Sequence, residues 1–138
     1  MNRRVILIVA ILFAVARVHA QVVLIANPSV PVRSLEAHAI LDIYSMNTRE
    51  WPDGAPVSVF TLKSNDATSQ RFYSFLGTRL LDMKKIWMRI QLSGEGTTPE
   101  PCFSDEEVVE KVAATPGAVG YVRMSSVKGS VIILAEIE

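Results

Sequence analysis

The sequence predicts one α/β domain behind an export signal. Three observations carry that expectation. Short β-rich apolar runs alternate with segments of helical apolar spacing, turn residues separate them, and the length of 138 residues suits a single domain. Over the whole chain 14 basic residues balance 14 acidic ones, and 49% of residues are hydrophobic. Zero net charge offers no basic field for nucleic acid. One cysteine excludes an internal disulfide framework and any multi-cysteine metal site.

The first twenty residues stand apart. Met1-Asn2-Arg3-Arg4 is positive, Val5 to Ala16 is uninterrupted apolar sequence, and Val18 and Ala20 sit at −3 and −1 of a cut before Gln21. This is the order of a secretory signal peptide, so residues 1–20 are read as the signal and 21–138 as the domain. Arg17 interrupts the apolar run too early for a spanning helix, which leaves the export signal as the only expected membrane contact. Arg3, Arg4 and Arg17 fall in the signal and no acid does, so 21–138 carry 11 basic and 14 acidic groups, a net charge of −3.

Along the domain, Val22 to Ala26 is a continuous apolar run, as in a strand covered on both faces. Pro28 and Pro31 keep the chain extended. Ser34 is the expected cap of a helix whose face is Ala37, Ile40, Leu41 and Tyr44, ending near Met46-Asn47. Trp51-Pro52-Asp53-Gly54 is a turn, and Val57 to Leu62 a second strand. Ser64-Asn65-Asp66 starts a helix with Phe72, Phe75 and Leu76 on its face, stopped by Gly77. Thr78 is the expected cap of a helix bearing the stripe Leu80, Met83, Trp87 and Ile90. Ser93 to Phe103, with two glycines and two prolines, reads as a loop. Ser104 and Glu107 form a capping box ahead of Val108, Val109, Val112 and Ala113. Ala118 to Val122 and Val131 to Ala135 are the remaining strands.

Little catalytic chemistry is available, and the chain is not expected to be an enzyme. His38 is the only histidine beyond residue 20 and no Gly-x-Ser-x-Gly elbow exists. His38 and Cys102 have no ligand spacing, so no metal or other cofactor is expected. Asp105, Glu106, Glu107 and Glu110 serve a helix start better than a carboxylate pair. Trp51 and Trp87 stand where turn or core anchors belong. Gly94-Glu95-Gly96 follows no strand and is no dinucleotide loop. The stretch Lys63 to Arg71 does have a binding logic. It joins a strand's C-terminal end to a helix start, where hydroxyls, backbone N–H groups and a cation favour an anion. Helix capping by Ser64 or Asp66 explains the same residues equally well. Asn27 and Ser29, just past the first strand, are expected to face the same crevice.

Three segments carry a family resemblance. Ile43-Tyr44-Ser45-Met46-Asn47-Thr48-Arg49-Glu50-Trp51-Pro52-Asp53-Gly54 is similar to an Ile-Phe-x-Gly-Lys…Trp-x-Asp-Gly segment, with Tyr44 for Phe. Phe72 to Gly77, Trp87 and Gly94-Glu95-Gly96 follow in order, and Pro116-Gly117-Ala118-Val119-Gly120-Tyr121-Val122 resembles Pro-Gly-Ala-Ile-Gly-Tyr-Val. These resemble the small phosphate-binding-protein-like (PBP-like) domain proteins of bacteria, related to the substrate-binding component of phosphate ABC transporters. The resemblance implies a single lobe of the type II periplasmic-binding-protein fold, a mixed sheet of about four to five strands flanked by helices. It also implies a periplasmic location, phosphate or a similar oxyanion as ligand, and an envelope transporter or sensor as partner. Ser64, Thr68 and Ser69 would donate hydrogen bonds, Arg71 would supply charge, and Asn27 and Ser29 would close the far side. Ala67-Thr68-Ser69 stands where the transporter receptors carry Ser-Gly-Thr, which keeps hydroxyls and loses the glycine. That departure motivates the alternative, a ligand-free interaction or signalling module of the cell envelope.

Overall fold

The computed structural model describes residues 21–137; the expected signal peptide, residues 1–20, lies outside the described residues. Five strands, β1 (Val22–Ala26), β2 (Ser58–Leu62), β3 (Glu100–Cys102), β4 (Ala118–Arg123) and β5 (Ile132–Ile137), form one sheet in the order β3-β2-β4-β1-β5. Four helices connect them: α1 (Ala37–Tyr44), α2 (Ala67–Phe75), α3 (Leu80–Ser93) and α4 (Asp105–Ala114). The sheet is mixed. β2 runs parallel to both β3 and β4, whereas β1 is antiparallel to β4 and β5.

All five residues of β1 are buried, as its unbroken apolar run requires of a strand covered on both faces. Alternation along β4 shows what covers them. Gly120 faces α4, where an added Cβ would meet Val108 and Val112. Tyr121, on the opposite face, stacks on Phe72 of α2 at 4.0 Å and also packs edge-on against Tyr73. Tyr44 of α1 and Trp87 of α3 join that aromatic cluster. Both tryptophans are anchors: Trp87 Nε1 donates to the Tyr44 carbonyl at 2.7 Å and Trp51 Nε1 to the Gly117 carbonyl at 3.0 Å.

The structure departs from the sequence expectation in four places. A fifth strand, β3, lies inside the expected loop of residues 93–103; it holds Pro101, which only an edge position tolerates. Neither Ser34 nor Thr78 caps a helix, since α1 and α3 begin behind Glu36 and Arg79 with no side-chain cap. α1 also ends at Tyr44, two residues early, with Met46 at φ 65° just beyond it. On α2 it is Tyr73, not Phe75, that completes the buried face. The capping box of α4 forms with a variation: Ser104 Oγ accepts from Glu107 N at 3.2 Å, while Glu107 Oε2 accepts from Phe103 N at 2.7 Å.

Candidate functional site

Because β2, β3 and β4 are parallel, their C-terminal ends share one edge of the sheet. Three segments meet there: 63–66 leading into α2, 103–104 leading into α4, and Arg123 to Ser126. Two helix N-termini therefore open on one rim, where unpaired backbone N–H groups and the helix dipoles favour negative charge.

The junction before α2 is tightly tied. Asp66 caps the helix, its Oδ1 accepting from Ser69 N at 3.0 Å, and Ser64 Oγ donates to Asp66 Oδ2 at 3.3 Å. Ser69 is fully buried, and its hydroxyl donates to the Ser64 carbonyl at 2.8 Å. A carbonyl can only accept, which sets the direction of the next hydrogen bond. Ser69 Oγ then accepts from the Tyr121 hydroxyl at 2.9 Å; Thr61 Oγ1 lies 3.1 Å from the Tyr121 hydroxyl and 2.7 Å from that of Tyr73. The proton of Ser69 is thus already committed. Thr68, 7% exposed, occupies the second position of α2, and Arg71 is exposed further along it.

Across the rim, Asp105 is 6% exposed, and its Oδ2 accepts from Arg123 N at 3.0 Å, Arg123 Nε at 3.1 Å and Ser126 Oγ at 2.8 Å. That hydrogen bond to Asp105, with the nearby carboxylate charges, raises the Arg123 guanidinium above its usual range. Lys63 places its ammonium over the exposed Phe103 ring at 4.8 Å.

The expected common crevice for Asn27 and Ser29 is not formed. β1 runs against β4, so Ala26 pairs with Val119 and the C-terminal end of β1 lies where β4 begins. Asn27 Nδ2 donates to the carbonyls of Val112 and Ala113, both at 3.0 Å, closing the end of α4. Ser29 Oγ accepts from Gly117 N at 2.9 Å. Ser64, Thr68 and Ser69 sit together at one edge, and Asn27 and Ser29 sit about 15 Å away along β4. Sequence reasoning missed Arg123 and Asp105 at the rim. Their one signal was position, at the end of a strand and at the start of a capped helix.

Family comparison settles the lineage of this arrangement. A family model described as a PBP superfamily domain matches residues 10–133. The chain belongs to that family. Its fold is shared with solved phosphate-receptor structures at low identity. A Clostridium perfringens protein with bound phosphate, assigned as a phosphate ABC transporter substrate-binding protein, superposes with a TM-score of 0.68 at 20% identity, over 85% of this chain and 46% of the other. An ABC-type phosphate transport receptor of Vibrio cholerae gives 0.64 at 18% identity, over 82% and 44%. PstS of Borrelia burgdorferi gives 0.61 at 15%, over 86% and 48%. The PBP domain thus spans less than half the length of each of these structures. No curated protein matches it.

Among the described residues no cluster of three or more His, Cys, Asp or Glu side chains could hold a metal ion, and no helix is long and apolar enough to cross a membrane. His38 is exposed on α1, 3.6 Å from Glu36. Cys102 is fully buried, and burial, aided by the Glu107 carboxylate, pushes its thiol from an ordinary 9.0 to about 11. Burial likewise pushes the Tyr44 and Tyr73 hydroxyls well above 10.0. A raised value in the folded chain means the proton is held where the unfolded chain has already lost it. The associated stability is complete below pH 9.0 and is lost between 9.0 and about 11. Urea midpoints are expected to fall across that window, and a Cys102→Ala variant to fall less steeply at its lower end. Equal slopes for the two proteins would remove Cys102 from this account.

Proposed function

We propose that the PBP domain is an exported, periplasmic solute-binding-like protein that binds phosphate or a related oxyanion, in connection with phosphate ABC transport. The observation that carries this reading is the N-terminus of α2, with its hydroxyl-bearing approach, at the shared C-terminal edge of three parallel strands. Ligands collect at strand C-terminal edges of this kind in open α/β sheets. Thr68 would donate to the anion together with backbone N–H groups of the first turn of α2, and the exposed Ser64 hydroxyl would do so on turning away from the Asp66 carboxylate. Arg71, and Arg123 from across the rim, would supply charge. Ser69 would act by holding the loop through the Ser64 carbonyl, and Asn27 and Ser29 by bracing the opposite end of the sheet. Phosphate bound in the Clostridium perfringens relative is consistent with this choice of ligand.

Calorimetric titration with phosphate, sulfate and molybdate tests it. Binding in the millimolar range or tighter is expected, weakened at least tenfold in a Ser64→Ala/Thr68→Val double variant by loss of two charge-assisted hydrogen bonds. Absence of heat at millimolar anion would sink the proposal.

One observation favours the rival reading, a ligand-free interaction or signalling module of the envelope. The carboxylate of Asp66 already occupies the α2 N-terminus, where an anion would sit. Under that reading the double variant leaves the cellular role intact.

A further inference from the structure

Helix α3 carries two apolar stripes. Leu80, Met83, Trp87 and Ile90 are buried against the core. Leu81, Met88 and Leu92 are 59%, 60% and 83% exposed. At about 100° per residue they lie on a second stripe, roughly 150° round the helix from the first. A surface helix of a globular domain needs only the inner stripe, and three large apolar residues aligned on the outer side are unexplained by folding.

The flanks of the outer stripe are cationic. Lys84 stands on one side and Lys85 and Arg89 on the other, all exposed. Asp82 lies beyond Arg89 and is already paired with Arg79 at 2.9 Å. Met88, Leu92, Lys85 and Arg89 also border a common surface depression, so stripe and flank are one patch. The patch continues past the helix. Lys84 Nζ lies 3.5 Å from the Lys63 carbonyl, and the Lys63 ammonium covers Phe103, 77% exposed. A domain whose net charge is −3 over residues 21–138 has thus gathered cations around protruding apolar groups.

We infer that α3 is a docking face for an anionic phospholipid surface. Charge complementarity selects the occupant. A second copy of the chain docked by the same face would set lysines against lysines, which opposes association. The ridge is the convex, outer side of a single helix, which suits a soft planar surface: Leu81, Met88 and Leu92 enter the headgroup boundary while the flanking Lys and Arg side chains reach the phosphates. Docking in this way would set the rim at Lys63 beside the membrane. The inference stands independently of whether the rim binds phosphate.

The test uses the full chain with an environment-sensitive dye on Leu92→Cys, since Cys102 is fully buried and stays unlabelled. A second preparation carries the dye on Lys128→Cys, exposed in the loop before β5. Vesicles of phosphatidylglycerol and phosphatidylcholine contain a fraction of brominated lipid as quencher. Residues 1–20 are common to both preparations, so any tethering they cause acts on both dyes. Quenching is expected at position 92 and not at 128, in phosphatidylglycerol vesicles and not in pure phosphatidylcholine. Each cation near an anionic surface strengthens binding about fivefold, so a Lys84→Glu/Lys85→Glu/Arg89→Glu background is expected to weaken the quenching isotherm by about 100-fold or more. Equal quenching at the two positions, or quenching indifferent to the charge reversals, overturns the inference. No quenching at 92 overturns it as well and leaves the face to an acidic protein partner.

Discussion

Gly117→Ala is expected to lower stability by about 4 kcal/mol, a large share of the 5–15 kcal/mol typical of a domain. Two effects combine at this position. Gly117 has φ +75°, where a side chain costs about 1–2 kcal/mol. An added Cβ would also stand 2.4 Å from the Pro56 carbonyl oxygen, backbone that cannot rotate away. The chain must separate there, and that strains a junction made of three hydrogen bonds. Gly117 O accepts from Trp51 Nε1 at 3.0 Å and from Ser58 N at 3.2 Å, while Gly117 N donates to Ser29 Oγ at 2.9 Å. Losing two of them adds about 2 kcal/mol. Gly54→Ala isolates the conformational part, since Gly54 has φ +85° and no neighbour within 4 Å of the added atom. In urea unfolding the Gly54 variant should lose about 1 kcal/mol and the Gly117 variant several times that. Equal losses would mean that the contact with Pro56 relaxes freely.

That junction also shows which parts of the molecule were legible in the sequence. Pro116-Gly117 was readable as a turn because its chemistry is local, and so were the capping box at Ser104 and the buried run of β1. β3 was not readable, since three residues with a central proline resemble a loop until parallel pairing with Phe60 to Leu62 is known. Tyr73 was passed over for Phe75 because apolarity marked the phenylalanine. In the fold the tyrosine ring is buried, and its hydroxyl finds Thr61. The site divides in the same way. Ser64, Thr68 and Ser69 are neighbours in sequence and remain neighbours at the rim. Asn27 and Ser29 also follow a strand, but they lie away from that rim because β1 is antiparallel to β4. Strand direction is a property of long-range pairing, and no local pattern encodes it. Arg123 and Asp105 are 18 positions apart and meet only through that pairing.

Asp105→Ala is expected to cost about 3 kcal/mol, although Asp105 is a polar residue outside the apolar core cluster. Its Oδ2 is the shared acceptor of three donors, two of them from Arg123 and one from Ser126. The Arg123 side chain is 53% exposed, so the ion pair itself contributes little and the guanidinium can return to water. The backbone N–H of Arg123 has no such freedom. It is the last strand residue of β4, part-buried, and without the carboxylate it loses its partner at a cost of about 1–3 kcal/mol. Ser126 loses its acceptor as well, which loosens the turn after β4, and α4 loses a buried acid from its first turn. Asp105→Asn keeps an oxygen at the same place and is expected to recover about half of the loss. The amide hydrogen of Arg123 is the local reporter: its exchange should accelerate most in the alanine variant and less in the asparagine variant. If alanine and asparagine cost the same, or if Asp105→Ala unfolds within 1 kcal/mol of the parent, then this carboxylate does not join α4 to β4. The geometry of the rim would in that case rest on the Ser64–Asp66–Ser69 ties alone.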